Sequence, residues 1–100
     1  MKESVLQKAI IDYCKAHGIY IVNIYGAGRC AKGVPDLILC VDGVFLAMEC
    51  KVGKNRLQDD QVVNMRRILN SGGRWCCPRS IDDAVSAIED VKNGQSIHNS

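Results

Sequence analysis

Two apolar segments joined by a turn signal constrain the fold of this chain more than any other feature. Residues 36–41 read DLILCV, residues 44–51 read VFLAMECK, and Asp42-Gly43 stands between them. A two-residue type I′ turn prefers Asp-Gly because both of its central residues need a positive φ. The pattern predicts an antiparallel hairpin with strands that are apolar on both faces. Such strands are typical of the centre of a sheet that helices cover on each side.

The turn sets the register of this hairpin, and the register brings two acids together. Pairing Val41 with Val44 and counting outward places Asp36 opposite Glu49. Directly opposed side chains share a sheet face, with Cβ atoms roughly 4.5 to 5.5 Å apart. Lys51, two residues beyond Glu49, lies on the same face. The sequence therefore predicts two carboxylates and an ammonium group at one end of the hairpin.

Two carboxylates held this close raise each other's pKa unless a cation lies between them. Mg²⁺ or Mn²⁺ suits the pair, because such ions bind one or two carboxylates and complete their shell with water and phosphate oxygens. A lysine beside the ion can stabilise a pentavalent phosphate or hold the attacking water. The group predicts metal-assisted phosphodiester hydrolysis. The alternative is structural, with Asp36 at a strand start and Glu49 paired only with Lys51.

Hydrophobic periodicity places the hairpin in an α/β domain. The predicted helices are residues 4–17, residues 58–71 and a segment that begins at Ser80, and the further predicted strands are residues 19–25 and 74–77. The predicted order is αβββαβα. We expect a single domain over residues 1–93 and a flexible tail over residues 94–100.

Composition and length exclude several classes of protein. One hundred residues, of which 47% are hydrophobic, suffice for one small domain. The net charge of +2 permits a polyanionic partner without requiring one. No apolar run has the length of a membrane span, and the N-terminus MKESVLQK does not read as a signal peptide. A cytoplasmic protein is expected, for example in a bacterial or phage host cell, with no membrane partner.

The six cysteines do not indicate a zinc site or a disulfide scaffold. No C-x-x-C motif occurs, and the neighbours Cys76 and Cys77 would point to opposite faces of a strand. Cys14, Cys40, Cys50 and Cys76 lie in periodic apolar segments, where a reduced thiol behaves as a small hydrophobic group. A metal ion, if bound, would be held by oxygen.

A nucleotide-binding fold is a rival that the segment Gly26-x-Gly28-x-x-Ala31 suggests, because it follows a predicted strand. That fold requires a helix between its first two strands, and Gly33 and Pro35 leave no room for one. The phosphate-binding pattern G-x-x-x-x-G-K-S/T fails too, because no lysine follows its second glycine. The glycines of this loop are expected instead to let it approach a DNA backbone.

Four features in chain order resemble the VRR-NUC domain of the PD-(D/E)XK nuclease superfamily. They are Glu3 near the start of the first helix, Gly33-Val-Pro-Asp36, Glu49-Cys-Lys51, and Gln61 on the next helix. The resemblance covers nearly the whole chain and implies a PD-(D/E)XK core, with a central mixed sheet flanked by helices. It implies a metal-dependent DNA endonuclease with Mg²⁺ or Mn²⁺ as cofactor. The implied metal ligands are Glu3, Asp36, Glu49 and the backbone carbonyl of Cys50, and the implied catalytic residues are Asp36, Glu49, Lys51 and Gln61.

Stand-alone single-domain members of this family resemble one another in forming homodimers that cut branched DNA, notably four-way (Holliday) junctions. The resemblance implies the same partners here: branched DNA and a second copy of the chain. Basic residues flank the site in the sequence and are expected to contact phosphates: Arg29, Lys32, Lys54, Arg56, Arg66 and Arg67. The alternatives are a nuclease for flaps or linear duplex, and a nucleic-acid-binding module that keeps the fold without the reaction.

Overall fold

The computed structural model describes residues 1–24 and 32–97. The helices and strands of this part follow the predicted order αβββαβα. The elements are α1 (Glu3–Ala16), β1 (Tyr20–Asn23), β2 (Leu37–Val41), β3 (Val44–Met48), α2 (Asp59–Asn70), β4 (Arg74–Cys76) and α3 (Ile81–Lys92). The predicted bounds agree with the observed ones to within two residues for α1, β1, β2, α2, β4 and the start of α3. β3 ends at Met48, three residues before the predicted end of that strand at Lys51.

The strands form one mixed sheet in the order β1-β2-β3-β4. β1 and β3 both run antiparallel to β2, and β4 runs parallel to β3. The predicted hairpin register is confirmed, from Val41 opposite Val44 to Leu37 opposite Met48. Asp42 and Gly43 adopt φ values of 51° and 81°, as a type I′ turn requires. The hairpin therefore occupies the centre of the sheet.

The main core lies between one face of the sheet and the helices α1 and α3. Leu37, Leu39 and Leu46 of the central strands are fully buried there, together with Ile10 of α1 and Ile88 of α3. The other face carries a smaller cluster in which α2 packs on the sheet. Its members are Ala47, Trp75 and Cys77 of the strand region and the adjoining Ile38, Leu57, Met65 and Ile68.

The second face of the sheet is only partly covered, which differs from the expectation for the central strands. Tyr20, Cys40 and Phe45 form one row across β1, β2 and β3. Phe45 is 46% exposed and Tyr20 is 70% exposed, because α2 packs beside β4 rather than over β1. The prediction that Cys40 is a core thiol is therefore wrong. Cys76 and Cys77 lie in different clusters on opposite faces, as predicted.

Helical spacing predicts a buried face of α1 made of Val5, Leu6, Ala9, Ile10, Tyr13 and Cys14. The observed buried stripe is rotated relative to this face. Leu6 and Ile10 are buried as expected, but Val5 is 54% exposed. Gln7, a polar residue, is only 4% exposed and takes a place in the stripe. Helical spacing therefore predicted the helix correctly but misplaced its buried face by about one residue position around the helix axis.

The C-terminal segment is described as far as Ile97, which packs against the main core. The backbone N–H of Gln95 donates to the carbonyl of Asp90 at 2.8 Å, and Arg74 Nη1 donates to the carbonyl of Gln95 at 3.1 Å. The flexible tail over residues 94–100 stays a prediction. Residues 98–100 lie outside the described part, as do residues 25–31. Among the described helices, none has the length and apolar character that crossing a membrane requires.

Candidate active site

Asp36 and Glu49 lie immediately beyond the last paired residues of β2 and β3. The Asp36 carbonyl accepts a hydrogen bond from the Ile24 N–H at 2.9 Å, and the Glu49 N–H donates to the Cys76 carbonyl at 3.0 Å. The Lys51 N–H donates to the Pro78 carbonyl at 3.3 Å, so the chain continues alongside the β4 segment past the end of β3. Backbone bonds to both outer strands thus hold the two acids at one end of the sheet.

The Asp36 carboxylate is anchored by the backbone beside it. Its Oδ2 atom accepts a hydrogen bond from the Cys50 N–H at 2.9 Å, in a buried position. A carboxylate has two oxygens and several lone pairs, so this bond leaves the other oxygen able to bind a ligand. Asp36 is 9% exposed, so its side chain reaches solvent only at its tip.

Glu49 is the most strongly perturbed acid of the site. Burial, the charge of Asp36 and a hydrogen bond with its carboxyl group together raise the pKa of Glu49 to about 8, while Lys51 opposes the shift. Glu49 is 3% exposed, and its Oε1 atom is enclosed without a hydrogen-bond partner among the described residues. An unpaired buried carboxyl oxygen is costly for a fold, so this arrangement favours a functional role over a structural one.

Lys51 is buried to the same degree as the acids, with 8% of its surface exposed. The salt bridge found in the described part of the chain joins Lys8 to Asp12 on the surface of α1, at 2.9 Å. Lys51 therefore makes no ion pair with Glu49 or Asp36, although its charge acts on Glu49. The structural alternative, a simple pair of Glu49 with Lys51, is not what the geometry shows.

Glu3 reaches the same region from the first turn of α1. Its charge contributes to the raised pKa of Glu49, which places it within electrostatic reach of the pair. Glu3 Oε2 accepts a hydrogen bond from Asn55 Nδ2 at 3.1 Å. Arg79 Nη1 in turn donates to the carbonyls of Asn55 at 2.8 Å and Gly53 at 3.3 Å. The loop after Lys51 is thereby tied to both α1 and the segment after β4.

Gln61 has a structural partner that its predicted role did not include. Gln58 is the N-cap of α2, and the Gln61 side chain accepts the Gln58 N–H through Oε1 at 2.8 Å, forming a capping box. Because the oxygen of the amide is engaged, its NH₂ group is the part of Gln61 that can donate to a ligand. Gln61 is half-buried at this helix start.

The described members of the predicted DNA-binding set form no salt bridge with the carboxylates of the site. Lys54 and Arg56 are exposed on the loop between β3 and α2. Lys32 is exposed and lines a hollow of about 540 Å³ beside the start of α2, together with Asp59. Arg29 lies outside the described residues.

The sequence interpretation missed Gln7, and it did not indicate the contact that Gly33, a residue of the motif, makes with α2. Gln7 lies one turn after Glu3 on α1 and is buried. Its spacing of four residues from Glu3 could have indicated that the two side chains lie on the same face of the helix. Gly33 has a φ of 85°, and a Cβ at that position would lie 2.5 Å from the carbonyl oxygen of Asp60. The absence of a side chain at Gly33 therefore lets the backbone lie against α2. The expected approach of this loop to DNA stays a prediction.

The donor set fits a hydrated divalent cation. Asp36 and Glu49 offer carboxylate oxygens, and one of these is the enclosed, unpaired Oε1 of Glu49. Within residues 1–24 and 32–97, no group of three or more His, Cys, Asp or Glu side chains is arranged to hold a metal. Magnesium needs only one or two carboxylates, because it keeps several of its waters. The residues therefore fit Mg²⁺ or Mn²⁺ better than zinc.

A mixed four-stranded sheet between helices, with acids and a lysine at the end of its central hairpin, defines a domain of the α/β class. The chain has the fold of a VRR-NUC domain. A solved structure described as "VRR_NUC domain" is similar to it, with a TM-score of 0.71 and 24% sequence identity over 87% of this chain and 94% of that one. No family model and no curated protein matches the chain. The predicted resemblance is thus confirmed for the fold.

Proposed function

We propose that this protein is a metal-dependent endodeoxyribonuclease that hydrolyses phosphodiester bonds of DNA in the cytoplasm. The observation that carries the proposal is the buried pair of Asp36 and Glu49, in which Glu49 Oε1 has no partner among the described residues and Lys51 makes no ion pair. Such a group destabilises the metal-free fold. It is accounted for if the carboxylates bind a cation and Lys51 binds a phosphate.

Asp36, Glu49 and the backbone carbonyl of Cys50 would hold the cation. When bound, Mg²⁺ or Mn²⁺ would supply a Lewis acid and lower the pKa of a water molecule. Lys51 would stabilise the negative charge that develops on the phosphate, because an ammonium group in a buried position acts more strongly than one in water. Glu3 would join the acidic group from α1, where Asn55 fixes its orientation.

Gln61 is proposed to orient the attacking water or a phosphate oxygen through its NH₂ group. Lys32, Lys54, Arg56 and, outside the described residues, Arg29 would contact DNA phosphates on either side of the site. Because each phosphate contact releases a counterion, binding should weaken steeply with salt despite the small net charge. A DNA affinity that is unchanged between low and physiological salt would show that these residues do not contact the DNA phosphates.

The substrate we propose is branched DNA, with a four-way junction as its main form. One domain supplies one site, and two symmetric cuts across a junction need two sites. A C2 homodimer meets this requirement, and the uncovered apolar side chains of the second sheet face, such as Tyr20 and Phe45, offer surface for pairing. The order of preference among junctions, flaps and linear duplex is a matter for direct assay.

The decisive experiment is cleavage of labelled four-way junctions, flaps and linear duplexes with Mg²⁺, with Mn²⁺ and with EDTA, alongside light scattering. We expect cation-dependent paired nicks in the junction and the mass of a dimer. Lys51→Ala should lose cleavage and keep cation binding, because an ammonium group cannot bind a cation. A monomer that cuts linear duplex and junctions equally well would contradict the proposed junction specificity and would leave the proposed nuclease activity intact.

The alternative is a nucleic-acid-binding module that has kept the fold without the reaction. Opposed buried carboxylates repel phosphate, so a module that only binds DNA gains nothing from them. DNA binding without cleavage under any of these cations would establish this alternative and contradict the proposed enzyme.

A further inference from the structure

We infer that Gln7 is a positioning residue of the site, whose side-chain amide binds the hydration shell of the cation held by Asp36 and Glu49. The inference rests on the proposed function and assigns a role to a residue that the sequence motif does not contain. Gln7 is only 4% exposed, as buried as the carboxylate of Glu49. A glutamine this deeply buried is unusual and normally has hydrogen-bond partners.

Within residues 1–24 and 32–97, no hydrogen bond joins the Gln7 side chain to another residue. Among the described residues, Glu49 Oε1 is the polar side-chain atom that is fully enclosed and has no hydrogen-bond partner. The amide atoms of Gln7 also lack a partner but are not fully enclosed, so the tip of this side chain keeps some contact with solvent. The side chain is thus embedded along its length and open at its polar end. This is the arrangement of a side chain that lines a cleft, not one of a packed core.

The helix geometry directs this polar end toward the acids. Gln7 follows Glu3 by four residues, so the two side chains lie on one face of α1, with Cβ atoms roughly 5–6 Å apart. Side chains of an α-helix lean toward its N-terminus, which here is the end that carries Glu3. Glu3 itself lies within electrostatic reach of Glu49. The amide of Gln7 therefore lies on the side of the acidic group that faces α1.

The chemistry of this neighbourhood selects a hydrated cation over a phosphate as the partner of Gln7. The charged groups of this region are the acids Glu3, Asp36 and Glu49, opposed by the ammonium group of Lys51. The acids predominate, so the region attracts a cation and repels a phosphate oxygen. A cation such as Mg²⁺ keeps several waters, and these waters donate strong hydrogen bonds. A neutral carboxamide can accept one without adding a further negative charge. Residues that hold such waters tune metal affinity without touching the metal.

The test measures the binding of Mn²⁺ alone to the full chain by calorimetry, without DNA. Gln7→Met, a nearly isosteric apolar change, should weaken Mn²⁺ binding by about tenfold, in the lower part of the range for such outer residues. The same variant should not lower the melting temperature of the metal-free protein, because the amide that it removes makes no hydrogen bond to a described residue. A merely structural glutamine would show the opposite pattern, with a lower melting temperature and unchanged Mn²⁺ affinity.

Gln7→Glu is the matched second variant, since it keeps the shape of the side chain and adds a charge. If the side chain faces the cation, this variant binds Mn²⁺ more tightly than wild type above pH 8. Unchanged affinity in both variants would overturn the role of Gln7. Asp36→Asn separates the two proposals: if it abolishes Mn²⁺ binding while both Gln7 variants bind normally, the role of Gln7 fails and the metal site stands. If the wild type itself binds no Mn²⁺, both fail.

Discussion

The carboxylate of Asp36 accepts a hydrogen bond from the backbone N–H of Cys50 at 2.9 Å, which joins the start of β2 to the residue between Glu49 and Lys51. Through this bond, the backbone segment that carries Glu49 and Lys51 fixes the orientation of the Asp36 carboxylate. The hairpin register brings the residues close, and this bond determines how the Asp36 carboxylate is turned. A single side chain thus has a structural function and a proposed ligand function.

Asp36→Asn and Asp36→Ala should separate those two functions. Asparagine keeps an oxygen that can accept the Cys50 N–H, so Asp36→Asn should unfold near the wild-type temperature and lose cleavage. Asp36→Ala leaves a buried N–H without an acceptor, which costs about 1–3 kcal/mol of unfolding free energy. Thermal melts and junction cleavage measure both effects, with the exposed Asp82→Asn as control. Full cleavage by Asp36→Asn would contradict the metal-ligand role.

The stability of the metal-free protein should fall as pH rises, and Glu49 should be the cause. Burial, the charge of Asp36 and its hydrogen bond raise the folded-state pKa of Glu49 from 4.5 to about 8. Folding therefore favours protonated Glu49, so its contribution is fully present below the unfolded pKa and is lost as pH rises through about 8.

Glu49→Gln should remove this loss. In EDTA at pH 8.5 the variant should melt several degrees above wild type, since 1 kcal/mol corresponds to about 4–8 °C in a domain of this size. At pH 5 the two should melt at similar temperatures. Glu89→Gln, at an exposed position of α3, is the control and should have no such effect. Equal melting curves for wild type and Glu49→Gln at both pH values would contradict the buried, perturbed carboxyl.

Cation binding should release a proton for the same reason. At pH 7 Glu49, with its pKa near 8, is mostly protonated in the metal-free protein, and a ligand carboxyl must be ionised. Calorimetry of Mn²⁺ binding in two buffers of different ionisation enthalpy should detect about one proton released per cation at pH 7, and much less at pH 9.5. Cation affinity should increase with pH over this interval. Binding without proton release at pH 7 would show that Glu49 is not a ligand.

The sequence predicted the elements that local rules determine. Asp42-Gly43 determines its turn by backbone conformation, and the turn determines the register, so the juxtaposition of Asp36 and Glu49 followed without further information. The uncovered sheet face did not follow, because the coverage of Phe45 depends on where α2 packs. That position is a long-range property which periodicity does not encode.

The candidate site was predicted in part for the same reason. Lys51 and the acids are neighbours through strand pairing, which is regular, whereas Gln7 becomes buried through the rotation of α1 against the sheet. A small rotation exchanges Val5 for Gln7 in the buried stripe. The capping partner of Gln61 was missed because Gln58 is a less common N-cap residue than serine or aspartate.

Gly33→Ala should disturb the position of α2, because the added methyl group would meet a backbone atom. Its Cβ would lie 2.5 Å from the Asp60 carbonyl oxygen, and the φ of 85° is itself unfavourable for alanine. Gly43→Ala is the matched control, with a φ of 81° and nothing within 4 Å of the new Cβ. We expect Gly33→Ala to lose clearly more unfolding free energy than the control, which bears only the roughly 1 kcal/mol of left-handed strain. Chemical denaturation measures both, and equal losses would show that the contact with α2 is unimportant.

Gln61→Glu should distinguish helix capping from catalysis. Glutamate can accept the Gln58 N–H as glutamine does, so α2 and the melting temperature should be preserved. A carboxylate has no N–H to donate to a phosphate oxygen and repels it, so cleavage should fall by about tenfold or more. Gln61→Ala should lose both cleavage activity and stability, with a loss of about 1 kcal/mol in unfolding free energy because the capping box is incomplete. Gln58→Ser, which retains a preferred N-cap and leaves Gln61 in place, is the control and should cleave normally. If Gln61→Glu cleaves at the wild-type rate, Gln61 serves the helix alone, and the catalytic group reduces to Asp36, Glu49 and Lys51.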